Sequence, residues 1–449
     1  MPLQITPREA GGRGRSPGLP LVVNHMPSQL GLNGLNFFTA AVQAGFGPFI
    51  AVWLTKNGWS LTELGLALSI GTLAAIIGQL PGGMLVDQVH RKRLAAAGAL
   101  IALGSSALLL CLAPTQKLVW GAQVAHALAS CIMTPAIAAV TLSMCGHDKF
   151  SERLGQNTRY AALGNAASAV LLGAAASTIS EQAVFLVTAA LAIPALGALF
   201  MIRADECADP TDDHPARLHP REREHRPWQI FAEPALNVFA AAVALFQLAN
   251  AAMLPVALNR LTHEGGAPGF VVSATIVVPQ IITALIAPWA GTLAQRIGRR
   301  PVLIAGFAAV PLRALLFAVL PGALPLMVFQ ALDGASAAVL GLMLPLIAAD
   351  LTKRTGYLNL AIGALGLASS LGAMVSTTVA GWIGDRFGDT MTFLFLAAAG
   401  GVAVVLLGGA MPETRPAGKR PRGDRPPGNH PPGNRPRRAR NAANATLPA

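Results

Sequence analysis

Residues 83–93 read GMLVDQVHRKR, and residues 291–301, in the second half of the chain, read GTLAQRIGRRP. Each segment follows an apolar stretch and combines a glycine with a cluster of basic residues. Glycine lets two backbones approach closely, and clustered basic side chains mark loops on the cytoplasmic side of a membrane. The two segments therefore predict a membrane protein with two related halves and one such loop in each half.

Apolar blocks surround both segments. The chain has 449 residues, of which 53% are hydrophobic and only 12% are charged, whereas a water-soluble chain carries about a quarter charged residues. The blocks are roughly 20 residues long, the length of a helix that crosses the hydrocarbon core, and they lack the alternation of barrel strands. The sequence predicts an all-α polytopic membrane protein with twelve transmembrane helices, near residues 30–54, 61–84, 94–113, 119–142, 158–179, 182–202, 234–258, 270–294, 301–320, 324–349, 358–382 and 390–410.

The formal net charge is +12, which is compatible with a nucleic-acid partner or with a membrane protein. The positions of the basic residues along the chain distinguish the two. If the amino terminus is inside, the predicted external side receives only four basic residues, Lys56, Lys117, Arg260 and Arg386. The internal loops and termini receive most of the others, as the positive-inside rule requires. The basic excess therefore predicts an inner-membrane protein with both termini in the cytoplasm, in contact with lipid and with no nucleic-acid partner.

Internal repeats extend the relation between the halves beyond the two loops. Residues 35–42 align with residues 236–243, and residues 162–168 align with residues 364–370. A duplication accounts for both matches and predicts two pseudo-symmetric six-helix bundles. The predicted organisation is a disordered cytoplasmic amino terminus (1–28), a first bundle (29–202), a cytoplasmic linker (203–230), a second bundle (231–410) and a disordered basic cytoplasmic tail (411–449).

Both loops resemble the Gly-x-Leu-x-Asp-Arg-x-Gly-Arg-Arg loop of the major facilitator superfamily, at the expected place in each half. The resemblance covers roughly residues 30–410 and implies the fold of that superfamily (MFS), in which helices 1, 4, 7 and 10 line a central cavity. In the first loop Gln88 and His90 replace Arg and Gly of the pattern, and in the second Gln295 replaces its acid. We expect the loops to connect neighbouring helix ends and gate the internal opening; the alternative is that their arginines only hold topology. The candidate gating residues are Gly83, Asp87, Arg91, Lys92, Arg93, Gly291, Arg296, Gly298, Arg299 and Arg300.

One carboxylate and one guanidinium lie deep in the predicted helices. Asp333 in helix 10 and Arg313 in helix 9 are roughly 13 Å and roughly 10 Å from the external helix ends. A charge inside the membrane is costly, so each is a candidate functional residue, and consecutive helices allow the two to pair. The pair has two interpretations, which are proton coupling and structural neutralisation.

Helix 4 carries a related motif, because Gln123-x-x-His126 mirrors Gln330-x-x-Asp333 in helix 10. An unperturbed histidine titrates near neutrality, so His126 is a second proton candidate; the alternative is a hydrogen-bonded packing residue. The candidate proton-coupling residues are Asp333, His126 and Arg313. Amides concentrate in helices 1, 4, 7 and 10, and the candidate substrate-binding residues are Gln43, Phe46, Gln123, Gln247, Asn250 and Gln330.

No nucleotide-binding loop, catalytic triad or metal-ligand spacing is visible, so the sequence predicts neither an enzyme nor a cofactor or metal site. It predicts secondary active transport of a small molecule by alternating access around a central site. Proton-coupled efflux is the first prediction, because the resemblance is to bacterial drug and sugar-efflux permeases. Proton-coupled uptake of a metabolite is the alternative within transport, and a transport-inactive sensor or scaffold is the alternative outside it. The expected partners are a small-molecule substrate, protons and the lipid bilayer, and the expected state is a monomer.

Overall fold

The computed structural model describes residues 26–44, 48–112, 114–203, 227–263, 269–353 and 355–415. This part of the chain forms thirteen α-helices and a 3-10 helix, Pro227–Ala232. Most of the predicted disordered termini and linker lies outside the described residues. The α-helices are α1 (Met26–Ala44), α2 (Pro48–Lys56), α3 (Leu61–Gln88), α4 (Lys92–Leu112), α5 (Gln116–Thr178), α6 (Glu181–Met201), α7 (Pro234–Asn250), α8 (Met253–His263), α9 (Gly269–Arg296), α10 (Arg299–Val319), α11 (Ala323–Thr352), α12 (Leu358–Phe387) and α13 (Asp389–Ala410).

The helix count agrees with the predicted twelve. Within the described residues, 10 helical stretches are long and apolar enough to cross a membrane, and α7 with α8 counts as one of them. Another, α5, has 63 residues and is interrupted at Gly146, where φ is 63° and ψ is 177°. Its two parts, 116–145 and 147–178, are each long enough to cross the hydrocarbon core. The pair α1 and α2 corresponds to the predicted first helix, which completes the twelve.

The connection inside α5 differs from the prediction. Residues 143–157 are outside the predicted helices, but the structure is helical there except at Gly146. Glycine adopts a positive φ without steric cost, so one residue interrupts the helix and its neighbours remain helical. Hydropathy indicates where apolar blocks end, and it does not show that a single glycine is sufficient to connect them.

Three apolar cores organise the described helices, and the smallest lies among α2, α3, α4, α5 and α6. Of the two larger cores, one lies mainly in each half. The first lies among α1, α4, α5 and α6, and the second lies among α7, α10, α11, α12 and α13. Leu32, Leu100 and Leu103 are fully buried in the first core, and Phe239 and Leu342 are fully buried in the second. The halves contact each other through α3 with α12 and through α5 with α9. Several of the candidate gating residues lie along these two contacts.

Glycines show the pseudo-symmetry of the halves. A Cβ on Gly164 of α5 would clash with the carbonyl oxygen of Phe37 in α1, and one on Gly372 of α12 would clash with that of Ala244 in α7. In each half these are the first and fifth transmembrane helices. Small residues permit such close backbone contacts between membrane helices, so the same packing solution occurs twice.

Candidate transport pathway

A cavity of about 530 Å³ lies between the two halves. The second half contributes Leu344, Ile362 and Gly366 to its lining. On α3 and α5 the lining positions recur at intervals of three or four residues, so each helix presents one face to the cavity. The lining contains amides, hydroxyl groups and one imidazole, and none of its residues, all in the described part of the chain, is Asp, Glu, Lys or Arg. The polar lining comes from the first half: Gln43, Thr72, Gln79, Gln123, His126, Ser130 and Thr134.

The six candidate substrate-binding residues divide between two places. Gln43 and Gln123 line the cavity together with the proton candidate His126. Phe46 lies outside the described residues. The structure therefore does not bring the six candidates into one site. The other three are in the second half and are not part of the lining: Gln247, Asn250 and Gln330.

Arg313, on α10, is the centre of a polar cluster in the second half. Its side chain is 2% exposed, and its Nη1 lies 2.5 Å from Oδ1 of Asp333 on α11. Nη1 also donates to Oε1 of Gln330 at 3.0 Å, and Nη2 donates to Oδ1 of Asn250 on α7 at 2.5 Å. A buried guanidinium needs a counter-charge and acceptors for its N–H groups, and this cluster supplies both. The two intramembrane charges are thus paired with each other.

The cluster extends to α8 and α9. Nε of Arg313 donates to Sδ of Met253 at 3.0 Å, and Nε2 of Gln330 donates to the carbonyl oxygen of Thr275 at 3.0 Å. Gln330 is 1% exposed, so its amide is held at both its oxygen and its nitrogen. Asn250 and Gln330 therefore position Arg313 in this conformation.

We call the end of the bundle that carries residues 87–93 and 296–300 the basic end. There, Asp87 of α3 accepts hydrogen bonds from the backbone N–H groups of Asn359 (3.1 Å) and Leu360 (2.8 Å) and from the side-chain amide of Asn359 (2.7 Å). These donors belong to the first turn of α12, where the helix dipole favours a negative charge. Asp87 therefore connects the first half to the second half at the basic end.

Glycines allow the close approach of α3 and α12 around Asp87. A Cβ on Gly83 would clash with the carbonyl oxygen of Asn359. One turn further from the basic end, a Cβ on Gly363 would clash with the carbonyl oxygen of Gln79. The clashing atoms belong to the backbone, so a side-chain rotation cannot relieve them. Gly83 and Gly363 must therefore be glycine for α3 and α12 to approach as closely as they do here.

The three basic gating candidates of the first loop have different surroundings. Lys92 is buried, and its Nζ donates to the carbonyl oxygens of residues 86 and 87 at 2.7 Å and 3.2 Å. Arg93 donates to the carbonyl oxygen of Phe200 at 3.1 Å and lies 5.1 Å from the centroid of that ring. Arg91 is exposed. Lys92 therefore fixes the turn between α3 and α4, and Arg93 fixes the end of α6.

The second loop makes the corresponding contact between α5 and α9. Oγ of Ser151 donates to the carbonyl oxygen of Gly291 at 2.8 Å, and a Cβ on Gly291 would lie 2.7 Å from the carbonyl oxygen of Ser151. Gln295, which replaces the acid of the pattern, donates to the carbonyl oxygen of Asp148 at 2.8 Å. The second loop thus connects the halves through neutral hydrogen bonds, whereas the first uses the charge of Asp87.

A carboxylate does pair with an arginine of the second loop, but it comes from α11. Nε of Arg299 lies 3.1 Å from Oδ2 of Asp350, and both side chains are buried. Nη1 of Arg299 donates to the carbonyl oxygen of Ala294 at 2.9 Å. This ion pair connects the start of α10 with the end of α11, so it stabilises the second half internally.

Residues 411–415, which the sequence analysis assigns to the disordered tail, are ordered against α10. Glu413 accepts hydrogen bonds from the backbone N–H groups of Arg299 (2.8 Å), Arg300 (3.1 Å) and Arg415 (2.9 Å). Burial raises the pKa of Glu413, whereas these N–H donors and the charge of Arg299 lower it. The lowering effects together are larger, so the pKa lies below its ordinary value. Glu413 acts as a cap for the first turn of α10.

The remaining gating candidates of the second loop lie at the same junction. Gly298 has a φ of 108°, and a side chain there would clash with the carboxylate of Glu413. The carbonyl oxygen of Arg296 accepts a hydrogen bond from Nη1 of Arg415 at 2.8 Å, and Arg300 donates to the carbonyl oxygen of Gly408. These contacts stay within the second half, so these residues do not connect it to the first.

Known proteins resemble this chain in sequence and in fold. Residues 30–342 match the family described as MFS_1 like. An uncharacterized MFS-type transporter of Mycobacterium tuberculosis, from strains H37Rv and CDC 1551, is 34% identical over 391 residues, or 85% of this chain and 93% of that protein. The chain belongs to the major facilitator superfamily. This facilitator is therefore a multi-pass membrane transporter and not an enzyme, which confirms the sequence prediction.

Two solved structures of facilitators share the fold. XylE, a proton:xylose symporter bound to 6-bromo-6-deoxy-D-glucose, has a TM-score of 0.66 at 14% identity, covering 87% of this chain and 95% of that chain. The human organic anion transporter MFSD10 (TETRAN) has a TM-score of 0.61 at 13% identity, and the match covers 85% of this chain and 98% of that chain. The predicted twelve-helix fold is confirmed. A Multidrug resistance protein B homolog of Mycobacterium tuberculosis is 28% identical over 167 residues, or 37% of this chain and 30% of that protein.

The residues that sequence reasoning missed include Gln79, Asp350, Asn359 and Glu413. The chain has only 21 Asp and Glu residues. Asp350 and Glu413 lie near the ends of predicted helices, so their positions could have indicated contacts with the basic loops. Gln79 lies one helical turn from Gly83, on the same face of α3. No sequence signal indicates Asn359, because its role depends on how the halves pack together.

Proposed function

We propose that this facilitator exports a small molecule across the inner membrane in exchange for protons, by alternating access. The proposal rests on one observation, a polar cavity between the two halves. At the basic end the halves are joined by Asp87 and by the close contacts at Gly83 and Gly363. The positive-inside rule assigns the basic end to the cytoplasm, with both termini on that side. The conformation described is then the one in which the cytoplasmic side is closed, in a protein that works as a monomer.

The lining of the cavity favours an uncharged solute with several hydrogen-bonding groups. Its volume of about 530 Å³ is within the usual range for small-molecule sites. A charged solute would lose hydration on entry, and none of the lining residues that the structure describes carries a fixed charge to compensate for that loss. Amides and hydroxyl groups instead offer both donors and acceptors.

Asp333 is the proposed proton site. Its side chain is 23% exposed, whereas its partner Arg313 is buried, so Asp333 is the more accessible member of the pair. His126 remains the second candidate, because it lines the cavity itself. The partial similarity to a protein named for multidrug resistance supports export as the direction of transport.

Everted membrane vesicles carrying the protein test this function. In such vesicles respiration acidifies the lumen, and an exported solute added outside enters as protons leave. We expect a solute from a panel of neutral compounds to dissipate the pH gradient in the native protein. The effect should be lost in Asp333→Asn and kept in Glu233→Gln, which neutralises an exposed carboxylate that makes no cap hydrogen bond.

The opposite outcomes are equally informative. If intact cells make the medium alkaline when a solute is added, the protein is an uptake symporter. If a well-folded protein moves no solute in either orientation, transport is not its function and the sensor or scaffold interpretation gains support.

A further inference from the structure

A second cavity lies at the basic end, where the two halves close. Its volume is about 360 Å³, which is within the usual range for sites that bind small molecules. The first half contributes residues of α3, α4 and α5, and the second half contributes the end of α11, the turn that follows it and the first turn of α12. A ligand in this cavity, which we call the basic-end cavity, would therefore contact both halves at once.

The basic-end cavity continues the line of the central cavity. Along α5 the lining of the central cavity reaches residues 134 and 135, and that of the basic-end cavity follows at residues 139, 142, 143 and 146. These positions recur every three or four residues, so both cavities lie against the same face of this helix. The same order holds on α12, where Ile362 lines the central cavity and Leu358 lines the basic-end cavity. The basic-end cavity therefore lies between the central cavity and the cytoplasmic side.

The fixed charges of this lining favour an anion. Lys92 is buried, and its ammonium group donates to two backbone carbonyl oxygens, which carry no net charge. Lys353 and His147 are exposed, so they lie where the cavity meets the solvent. The acid among the described lining residues is Asp87, and both of its carboxylate oxygens already accept hydrogen bonds from α12. The two lysines are thus the charges that remain to attract a ligand.

A buried acceptor narrows the chemistry of that ligand. Asn359 lines the basic-end cavity and is 3% exposed. Its amide nitrogen donates to Oδ1 of Asp87, which fixes the orientation of the amide. The Oδ1 of Asn359 then has no hydrogen-bond partner in the described part of the chain. A buried acceptor without a donor is unfavourable, and a hydroxyl group of a ligand would supply the donor.

We propose that the basic-end cavity binds an organic phosphate that carries a hydroxyl group, and that this ligand holds the basic end closed. Its phosphate pairs with Lys92 and Lys353, and its hydroxyl donates to Oδ1 of Asn359. Because the ligand contacts both halves, it binds the closed conformation in preference to the open one and shifts the equilibrium toward it. The inference goes beyond the proposed function, since this ligand regulates transport and is not itself transported.

The first test measures binding and needs no transported solute. The probe is radiolabelled glycerol 3-phosphate, and the full-length protein is held in phosphatidylcholine nanodiscs for equilibrium dialysis at about pH 8, where the phosphate is fully ionised. Methyl phosphate has the same charge at this pH but no O–H group, so it isolates the contribution of the hydroxyl. We expect saturable binding of glycerol 3-phosphate and about fivefold weaker binding of methyl phosphate.

Variants at the mouth of the cavity test the contribution of charge. Lys353 is exposed, so Lys353→Gln removes a charge from the lining without creating a buried hole. It should weaken binding of the probe at least about tenfold, whereas Lys353→Arg should keep it within about twofold. Lys149→Gln is the matched control, because Lys149 is also an exposed lysine near Gly146 but does not line the cavity. It should bind the probe as the native protein does.

Lipid composition distinguishes two sources of this chemistry, because the headgroup of phosphatidylglycerol also combines a phosphate with hydroxyl groups. If the lipid occupies the cavity, glycerol 3-phosphate binds more weakly in nanodiscs that contain phosphatidylglycerol. If the ligand is a free cytoplasmic phosphate, its affinity is the same there as in nanodiscs with an equal share of phosphatidylserine, which is anionic but has no hydroxyl group. Either result supports the site and identifies the source of its ligand.

The second test measures closure through its effect on flux. Everted vesicles expose the basic end to the medium, so glycerol 3-phosphate added outside reaches the cavity. At a concentration equal to its dissociation constant, it should lower solute flux about twofold in the native protein and in Lys149→Gln, and leave flux unchanged in Lys353→Gln.

The absence of saturable binding to the native protein overturns the inference, and so does binding that Lys353→Gln leaves unchanged. Flux that the bound probe does not slow overturns the role in closure and leaves the proposed function standing. A protein that binds the probe with the expected preferences but moves no solute loses the proposed function and keeps the phosphate site.

Discussion

The two halves of this transporter carry related short motifs, Gln-x-x-His and Gln-x-x-Asp, in different surroundings. Gln123 and His126 face the open cavity, whereas Gln330 and Asp333 are held together with Arg313. Arg313 lies fourteen positions after the first residue of α10, and the same position in α4 is Ser106, which only bonds to its own helix. Matching positions of the two halves thus carry different side chains: the first half presents its polar pair to the cavity, and the second half holds its pair with Arg313.

The largest effect is expected from separating the ion pair. Asp333→Ala leaves the charge of Arg313 buried and unpaired, which costs about 3–5 kcal/mol of folding free energy. Replacing both residues, as Asp333→Leu with Arg313→Met, should recover most of that loss without restoring proton coupling. Thermal unfolding of the purified protein in detergent measures the first effect, and vesicle flux measures the second. A cost below about 1 kcal/mol for Asp333→Ala would place the pair among weak surface ion pairs and remove the contrast between the halves.

The second effect concerns closure at the basic end. Gly83→Ala puts a methyl group into the carbonyl oxygen of Asn359, so α3 and α12 cannot approach as they do here. We expect at least about a tenfold loss of flux, equivalent to roughly 1.4 kcal/mol against the closed conformation. Gly291→Ala tests the equivalent contact of the other loop and should act in the same direction. Gly121→Ala is the matched control, because a Cβ there meets no atom within 4 Å.

A smaller effect is expected in the cavity. His126→Asn keeps a polar side chain but removes the imidazole, and loss of one solute hydrogen bond costs about 1 kcal/mol, or about fivefold in apparent affinity. The pH dependence of flux should remain, since Asp333 is unchanged. Initial rates measured against solute concentration at several pH values provide the apparent affinity and the pH dependence of flux. If the pH dependence disappears instead, the proton site is His126 in the first half and not Asp333 in the second.

The smallest effect is expected at Glu413, whose pKa is lowered in the folded protein. A lowered pKa stabilises the fold at pH values above the ordinary value of 4.5, and this contribution is lost as the pH falls through the folded-state pKa. Glu413→Gln should therefore cost about 1 kcal/mol or less near pH 7 and almost nothing near pH 3. Unfolding midpoints of both proteins at the two pH values measure the difference. An equal cost at both would show that the side chain matters through its shape.

The fold was predictable because it depends on patterns that accumulate over many residues. Twelve apolar blocks, the distribution of Arg and Lys and the paired loops at 83–93 and 291–301 all indicate the same arrangement. The error at residues 143–157 came from a feature carried by one residue, Gly146, whose positive φ replaces a loop. Averages over a window do not detect such a residue.

The site was predictable only in its parts. The depths of Asp333 and Arg313 in consecutive helices indicated that they can pair, because both depths follow from helix geometry. The sequence could not show that Gln43 lines the cavity while Asn250 binds Arg313. Which amides accept hydrogen bonds from Arg313 depends on the packing of the helices. The contact of Asp87 with Asn359 joins residues far apart in the chain, and its partner is chosen by the packing of the halves.

The described residues that line the cavity carry no fixed charge, and this has an energetic consequence. If an uncharged solute leaves as one proton enters, each cycle carries one net positive charge inward, and the exchange is electrogenic. The membrane potential then contributes about 2.3 kcal/mol per 100 mV, enough for roughly a fiftyfold solute gradient without any difference in pH. Vesicles with a potassium diffusion potential and equal pH on both sides should therefore still accumulate the solute, at a rate that follows the imposed voltage.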